Sequence, residues 1–306
     1  MARANKGKPV HGWVVLDKPA GMTSTRAVGA IKRIFDAQKA GHAGTLDPLA
    51  TGILPIALGE ATKTVPFAVD GEKAYRFTVR FGAETDTDDA EGVVVRTSDS
   101  LPARDTIEAL LPRFTGEILQ VPPQFSAIKV DGNRAYDLAR GGEEVVLEPR
   151  EVLIDDLTLV DMPDAATAVL ESRCGKGTYV RALARDMGRA LSCFGHVIAL
   201  RRTRVGSFDE MASVTLEELQ AAAQAGPDVL LALLMPVEAA LDGLPGLSVG
   251  PNDAASLARG QAVLVRGRDA PVLAGGAAWA HFKGRILALG ELEKGAFRPT
   301  RVFNFG

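Results

Sequence analysis

Cysteine, histidine and unbroken apolar runs are all scarce in this chain of 306 residues, and each scarcity removes a class of protein. Its two cysteines, Cys174 and Cys193, are too few for the disulfide framework of a small secreted domain. Neither they nor the four scattered histidines show metal-ligand spacing, so no metal site is expected. No apolar stretch reaches the length of a membrane span, and the leading residues Met1-Ala2-Arg3-Ala4-Asn5-Lys6 run into no apolar signal core. The expectation is a cytoplasmic protein that does not enter a membrane. Hydrophobic residues at 46% and charged residues at 24% are ordinary for a globular protein, and the length accommodates one large domain and a small one. No internal repeat or low-complexity tract is present.

A net charge of −3 also leaves no general excess of positive charge to attract nucleic acid, but its distribution is uneven. Arg173, Lys176, Arg181, Arg185, Arg189, Arg201, Arg202 and Arg204 fall in one segment against Asp186 alone. Such a one-signed cluster in an acidic protein suits either a solvated helix face or a phosphate-binding surface.

What the chain does have is a loop, Gly41-His42-Ala43-Gly44-Thr45-Leu46-Asp47-Pro48-Leu49-Ala50-Thr51-Gly52, in which an acid, an imidazole and three glycines precede an apolar run. Glycine opens backbone shapes closed to other residues, and Asp47-Pro48 is an extended or turn dipeptide that keeps Asp47 out of a helix. Taken alone, an Asp-Pro pair does no more than order a turn.

His42 to Gly52, followed by Leu58-Gly59-Glu60-Ala61-Thr62-Lys63, resembles the signature of the TruB family of tRNA pseudouridine synthases. The resemblance covers residues 10–206 in five ordered motifs and implies that Asp47 is the essential catalytic residue, acting on the uridine at position 55 of the T loop of tRNA. Ala43 departs from the threonine that members commonly carry there. The opening motif corresponds to Asp17-Lys18-Pro19-Ala20-Gly21-Met22-Thr23-Ser24. His42 is expected to be structural or to contact RNA. In Lys73-Ala74-Tyr75 the motif's tyrosine, Tyr75, would lie against the target base. In Gly175-Lys176-Gly177-Thr178-Tyr179-Val180-Arg181, Tyr179 would line the site and Arg181 would pair with Asp47. Leu200 of Leu200-Arg201-Arg202-Thr203-Arg204 would pack on the nucleotide.

In chain order, residues 1–9 read as a flexible leader. Residues 11–19 read as a buried strand, and a helix starts at Ser24-Thr25 with Val28, Ile31 and Ile34 or Phe35 on one face. Residues 73–82 alternate as a half-buried strand. Glu84-Thr85-Asp86-Thr87-Asp88-Asp89-Ala90-Glu91-Gly92 lacks the calcium-loop pattern and is read as a solvated acidic connection with no chemistry. Residues 105–114 have helical spacing. Residues 121–150 contain a strand, a turn at Asp131-Gly132 and a short helix, and resemble the segment with which the family grips the T arm. Lys129, Arg134 and Arg140 are therefore expected phosphate contacts. Residues 151–159 and 166–172 read as paired strands, and a helix then starts on the glycine-rich turn at Gly175, whose spacing is not that of a P-loop. Arg201 and Arg202 cannot both face a core together with Arg204, so they too are expected at phosphate.

After Pro236 the composition shifts to short strands at 262–265, 271–274, 278–282 and 285–290, the pattern of a small β-barrel with its own core. Residues 244–306 loosely resemble the PUA-type RNA-binding module of the family. The expected fold is thus mixed α+β: a catalytic domain over 1–243 around a largely antiparallel sheet, then a PUA-like module. The resemblance implies a monomeric isomerase whose partner is the T arm of tRNA and which needs no cofactor. The rival readings are a non-catalytic RNA-binding protein, a pseudouridine synthase for another RNA, and a hydrolase. No Ser or Cys elbow accompanies Asp47 to support the last.

Overall fold

The structure, a computed structural model, describes residues 7–126, 147–265 and 275–305, together with the backbone of residues 129–130 and 133–134. Strand β1 (Gly12–Lys18) is buried along nearly all its length because its alternate side chains serve two cores. Val14 and Leu16 join one, and Trp13 and Val15 the other. Helix α1 (Ser24–Ile34) begins after Thr23, whose side chain accepts the Arg26 N–H, and it buries Ala27 and Ile31. A short β2 (Ala40–His42) then leads into the Asp47 loop, which returns through β3 (Thr51–Leu58). Helix α2 (Val65–Asp70) precedes β4 (Lys73–Phe81), and β5 (Ala83–Thr85) pairs with β6 (Val94–Thr97).

The helical spacing of 105–114 resolves into α3 (Arg104–Leu110) and a 3-10 turn over Leu111–Phe114. Pro112 has no N–H for the bond that would continue the α-helix. Strand β7 (Gly116–Gln120) follows, then a two-stranded ladder of β8 (Lys129–Val130) with β9 (Asn133–Arg134) that agrees with the expected hairpin. The turn residues themselves and the short helix expected after them lie outside the described residues. Strands β10 (Arg150–Asp164) and β11 (Thr167–Cys174) pair antiparallel, as their alternation required. Next come α4 (Val180–Ala190), β12 (Gly195–Val205) and β13 (Phe208–Asp209).

The main sheet runs β1-β3-β12-β4-β11-β10-β7, with β2 on β3 and β13 on β12. Within this sheet, among the described residues, only β3 and β12 are parallel neighbours, at Thr51 and Gly52 against Arg201 and Arg202. That one pairing places the end of the Asp47 loop directly beside the second arginine-bearing segment. One face of the sheet packs against α1 and α4 through Leu16, Ile31, Leu54, Phe77, Leu183 and Met187.

The C-terminal unit is a five-stranded sheet of β14 (Gly246–Ser248), β15 (Val263–Leu264), β16 (Gly276–Phe282), β17 (Arg285–Glu293) and β18 (Ala296–Val302), in the order β14-β16-β17-β18-β15. It has the core of its own that the strand pattern implied, built on Leu257, Ala280, Ala288 and Phe297. Its remaining face is not independent. Ile286, Leu289 and Phe303 share a core with Trp13, Val15, Ile53 and Phe208 of the main sheet. The Asn304 N–H donates to Glu60 Oε2 at 2.7 Å and Lys63 Nζ to the Val302 carbonyl at 2.9 Å across the same junction. The strand expected at 271–274 lies outside the described residues.

Candidate active site

The Asp47 loop is pinned from three elements. Ser24, in the first turn of α1, donates its hydroxyl to the Leu46 carbonyl at 2.9 Å and accepts the Leu46 N–H at 2.8 Å. Lys18, fully buried at the end of β1, donates to the carbonyls of Pro19, Met22 and Pro48. Burial pushes its ammonium down to about 8, with Asp47 pulling the other way. Arg202 of β12 is 2% exposed and donates to the carbonyls of Ile53 at 2.8 Å, Thr45 at 3.2 Å and Gly44 at 3.1 Å. Two of the three loop glycines take the left-handed backbone, Gly44 at φ 95° and Gly52 at φ 96°. A Cβ on Gly52 would collide with the Arg202 carbonyl, so glycine there permits the close approach of β3 to β12. Gly41 instead sits in β2 with no such demand.

These pins present the Asp47 carboxylate, 34% exposed, to a guanidinium that is only 5% exposed: Arg181 Nε lies 2.9 Å from Asp47 Oδ2. Arg181 is itself held from behind, with Nη1 donating to the Thr87 carbonyl at 2.8 Å, Nη2 to the Phe125 carbonyl at 3.0 Å, and Asp89 Oδ2 at 3.5 Å. Thr87 and Asp89 belong to the stretch expected to be a solvated acidic connection. That expectation is corrected: Glu84, Thr85, Asp88 and Asp89 are buried against α4. Arg181, Arg185 and Arg189 are spaced one helical turn apart and face this turn together. Arg185 Nη1 meets Asp88 Oδ2 at 3.0 Å, and Arg189 grips Glu84 with two bonds of 2.7 Å. Burial pushes the Asp88 carboxyl up to about 6 against the pull of Arg185. Much of the basic cluster thus neutralises an internal acidic turn.

A cavity of about 270 Å³ opens in front of Asp47 and is lined by Tyr75, Tyr179, Arg181, Leu200, Lys73 and Lys176 among others. Its volume is at the small end of ligand pockets, roughly 300 to 1,000 Å³, which suits one base rather than a large ligand. The structure therefore brings six of the expected site residues together: Asp47, Tyr75, Tyr179, Arg181, Leu200 and Arg202. Burial raises the phenol of Tyr75, as it does that of Tyr179, so both hydroxyls stay protonated and can donate. Lys73 caps the carboxyl end of α2 through the carbonyls of Val69 and Gly71, and burial lowers it to about 8.

The other expected site residues stand elsewhere. His42 does not line the cavity; burial, and then Arg202, lower its pKa, and its buried Nδ1 has no hydrogen-bond partner among the described residues. Arg202 reaches the cavity wall, but Nε, Nη1 and Nη2 each donate to a carbonyl of the Asp47 loop or of β3 rather than facing solvent. Arg201 is engaged twice, by Asp17 at 3.0 and 2.8 Å and by Glu210 at 2.6 Å. Of that triplet, Arg204 is the one left exposed. Arg140 and the side chains of Lys129 and Arg134 lie outside the described residues.

Sequence reasoning missed Lys18, Ser24, Asp88 and Asp89 as supports of the site. The last two had a readable signal, acids spaced to oppose arginines at positions 181, 185 and 189. Lys18 and Ser24 fall in the opening motif, but a lysine and a serine beside a proline-glycine turn look like surface, so the residues alone do not mark them as supports. Among the described residues no group of three or more His, Cys, Asp or Glu side chains is arranged to hold a metal ion.

Residues 32–180 match the family described as TruB family pseudouridylate synthase (N terminal domain), and residues 181–242 match tRNA pseudouridylate synthase B C-terminal domain. A tRNA pseudouridine synthase B from Rhodopseudomonas palustris is 61% identical over 97% of this chain and 84% of its own. Its counterpart from Chelativorans sp. is 56% identical over 99% of both chains. Among solved structures, a Cbf5-Nop10-Gar1 complex contains a chain with a TM-score of 0.75 and 26% identity, over 97% of this chain and 86% of that one. A chain of an H/ACA RNP bound to a substrate RNA containing 2'-deoxyuridine has the same fold, with a TM-score of 0.74 and 23% identity, over 99% of this chain and 92% of that one. The chain belongs to the TruB family of pseudouridylate synthases.

Proposed function

We propose that this enzyme isomerises uridine to pseudouridine at position 55 in the T loop of tRNA, with Asp47 as the catalytic carboxylate. The observation that carries the reading is that, among the described residues, Asp47 is the one acidic side chain lining the cavity, beside Arg181 and in a wall shared with two tyrosines. In this reaction the bond from the sugar C1′ to N1 breaks, the uracil turns, and a bond from C1′ to C5 forms. N1 gains a proton and C5 releases one, so substrate and product have one composition and no redox cofactor is required. The uridine must leave the stack to reach the cavity, which accepts a single base. Tyr75, Tyr179 and Leu200 wall the base so that it can rotate without escaping, and the Arg181 guanidinium holds the Asp47 carboxylate beside it by its charge.

Several parts of the reading concern the partner. Lys129, Arg134 and Arg140 contact phosphates of the T arm, and Lys176, 67% exposed at the cavity rim, is added to them. His42 supports the loop or touches RNA. The C-terminal unit serves as a PUA-like RNA-binding module from about residue 244, and the enzyme works as a monomer in the cytoplasm. Among the described residues no helix is long and apolar enough to cross a membrane. Incubating purified enzyme with an unmodified tRNA transcript and mapping pseudouridine by mass spectrometry tests the proposal. The expected product lies at position 55; tight binding with no pseudouridine anywhere would favour a non-catalytic RNA-binding protein.

A further inference from the structure

Gln120 closes β7 and is 2% exposed. Its amide makes two bonds to one residue: Oε1 accepts the Tyr179 N–H at 2.8 Å, and Nε2 donates to the Tyr179 carbonyl at 3.1 Å. Tyr179 is the N-cap of α4 and has no side-chain cap of its own. The Gln120 amide therefore ties down the backbone where the chain turns into this helix. Two consequences follow from position alone. The backbone from which the Tyr179 ring enters the cavity is fixed, and so is the starting phase of the helix that presents Arg181 two residues later.

The segment after Gln120 strengthens the same anchor. The Val121 carbonyl accepts from Arg185 Nη2 at 2.7 Å, the Phe125 carbonyl accepts from Arg181 Nη2 at 3.0 Å, and Ser126 lines the cavity. These contacts hold the Tyr179 and Arg181 part of the site, whereas Lys18, Ser24 and Arg202 hold the Asp47 loop. We propose that Gln120 is a positioning residue for pseudouridine formation, setting Tyr179 and Arg181 against Asp47 without touching the RNA. The inference rests on the function proposed above.

An amide donates and accepts at once, whereas a carboxylate only accepts and a protonated carboxyl again does both. In Gln120→Glu, burial raises the carboxyl above its ordinary range against the pull of Arg150, exposed opposite it on β10, and of Arg185, bound to the Val121 carbonyl. At high pH it keeps the Tyr179 N–H but repels the Tyr179 carbonyl; at low pH it regains a donor. A merely space-filling residue has no such dependence.

The test is the single-turnover rate and the tRNA Kd of the wild type and Gln120→Glu from about pH 5.5 to about pH 8.5. The ratio of variant to wild-type rate should fall by about 10- to 100-fold across that range, as small misplacements of reacting groups do, while Kd changes by less than about threefold. Gln120→Met, isosteric and without either bond, should show a loss of similar size at every pH. Circular dichroism identifies which variant has folded, and either carries the test. A rate ratio flat with pH for Gln120→Glu, or an undiminished rate for Gln120→Met, overturns the inference. So does a loss that appears in Kd instead of the rate. A wild type that makes no pseudouridine in tRNA defeats the functional reading and the inference with it, whereas a working wild type beside indifferent variants defeats the inference alone.

Discussion

Arg181 Nε stands 2.9 Å from Asp47 Oδ2 without the alignment of a hydrogen bond, while both Nη atoms of the same guanidinium are committed to backbone carbonyls. The arginine is held by the protein, so its charge stays fixed beside a carboxylate that faces the cavity. Asp47→Asn preserves size and turn propensity but removes the charge and the nucleophilic oxygen. Turnover should drop by about 10⁴ or more, as for other essential nucleophiles, with tRNA affinity largely retained. Pseudouridine formation and binding measured on the folded variant decide this; near-normal turnover would return Asp47 to the role of a turn residue.

Arg202 should behave as a structural pin of the loop. Arg202→Met leaves three carbonyls short of a charged donor, and loss of such bonds costs about 2 to 4 kcal/mol in total. Urea unfolding should show this loss, and turnover should fall with it. Unchanged stability with weaker, less salt-dependent tRNA binding would restore the phosphate-contact reading of this residue.

Gly52→Ala forces a methyl group against the Arg202 carbonyl and also strains φ. A destabilisation of at least about 2 kcal/mol is expected, whereas the same change at Gly41, with open space and no positive φ, should cost less than about 1 kcal/mol. Thermal unfolding of the two variants side by side checks the contrast.

Truncation before β14 removes Ile286, Leu289 and Phe303 from the core that they share with Trp13 and Ile53. At roughly 1.5 to 3 kcal/mol for each large side chain taken out of water, the loss is a sizeable share of the stability of a domain. The truncated chain should melt at a lower temperature or aggregate, because the last unit's own core is not the only one it contributes to. A truncated protein with the full-length melting temperature would contradict the shared core.

Lys18 titrates at about 8 in the folded chain against an ordinary 10.5. Between those values the unfolded chain binds the proton that the native chain has released, so stability from this group rises with pH across that window and is flat below it. The difference in unfolding free energy between wild type and Lys18→Met should therefore shift in favour of the wild type from about pH 8 to about pH 10. A difference that stays constant with pH would show that the Lys18 ammonium is not held at a depressed value.

The local elements were legible in the sequence because they follow from neighbours along the chain. Alternation in Lys73–Phe81 and in residues 151–159 and 166–172 dictates half-buried strands, and Ile31 and Phe35 mark the core face of α1. The crowding of Gly44, Asp47 and Gly52 into one loop placed the acid at a turn, and motif resemblance supplied Tyr75, Tyr179, Arg181 and Leu200. The partners of the charged residues were decided only by the tertiary structure. Glu84, Asp88 and Asp89 look solvated in sequence, yet they are buried because α4 lays Arg181, Arg185 and Arg189 over them, which offsets the cost of removing charge from water. Arg202 reads as a phosphate ligand until the parallel pairing of β3 with β12 turns it under the Asp47 loop. Strand periodicity likewise indicates that Ile286 and Leu289 are apolar positions in a small sheet, but which surface covers them depends on how that sheet docks. A charge or an apolar side chain is specified by the sequence, whereas its partner is set by contacts between segments tens to hundreds of residues apart.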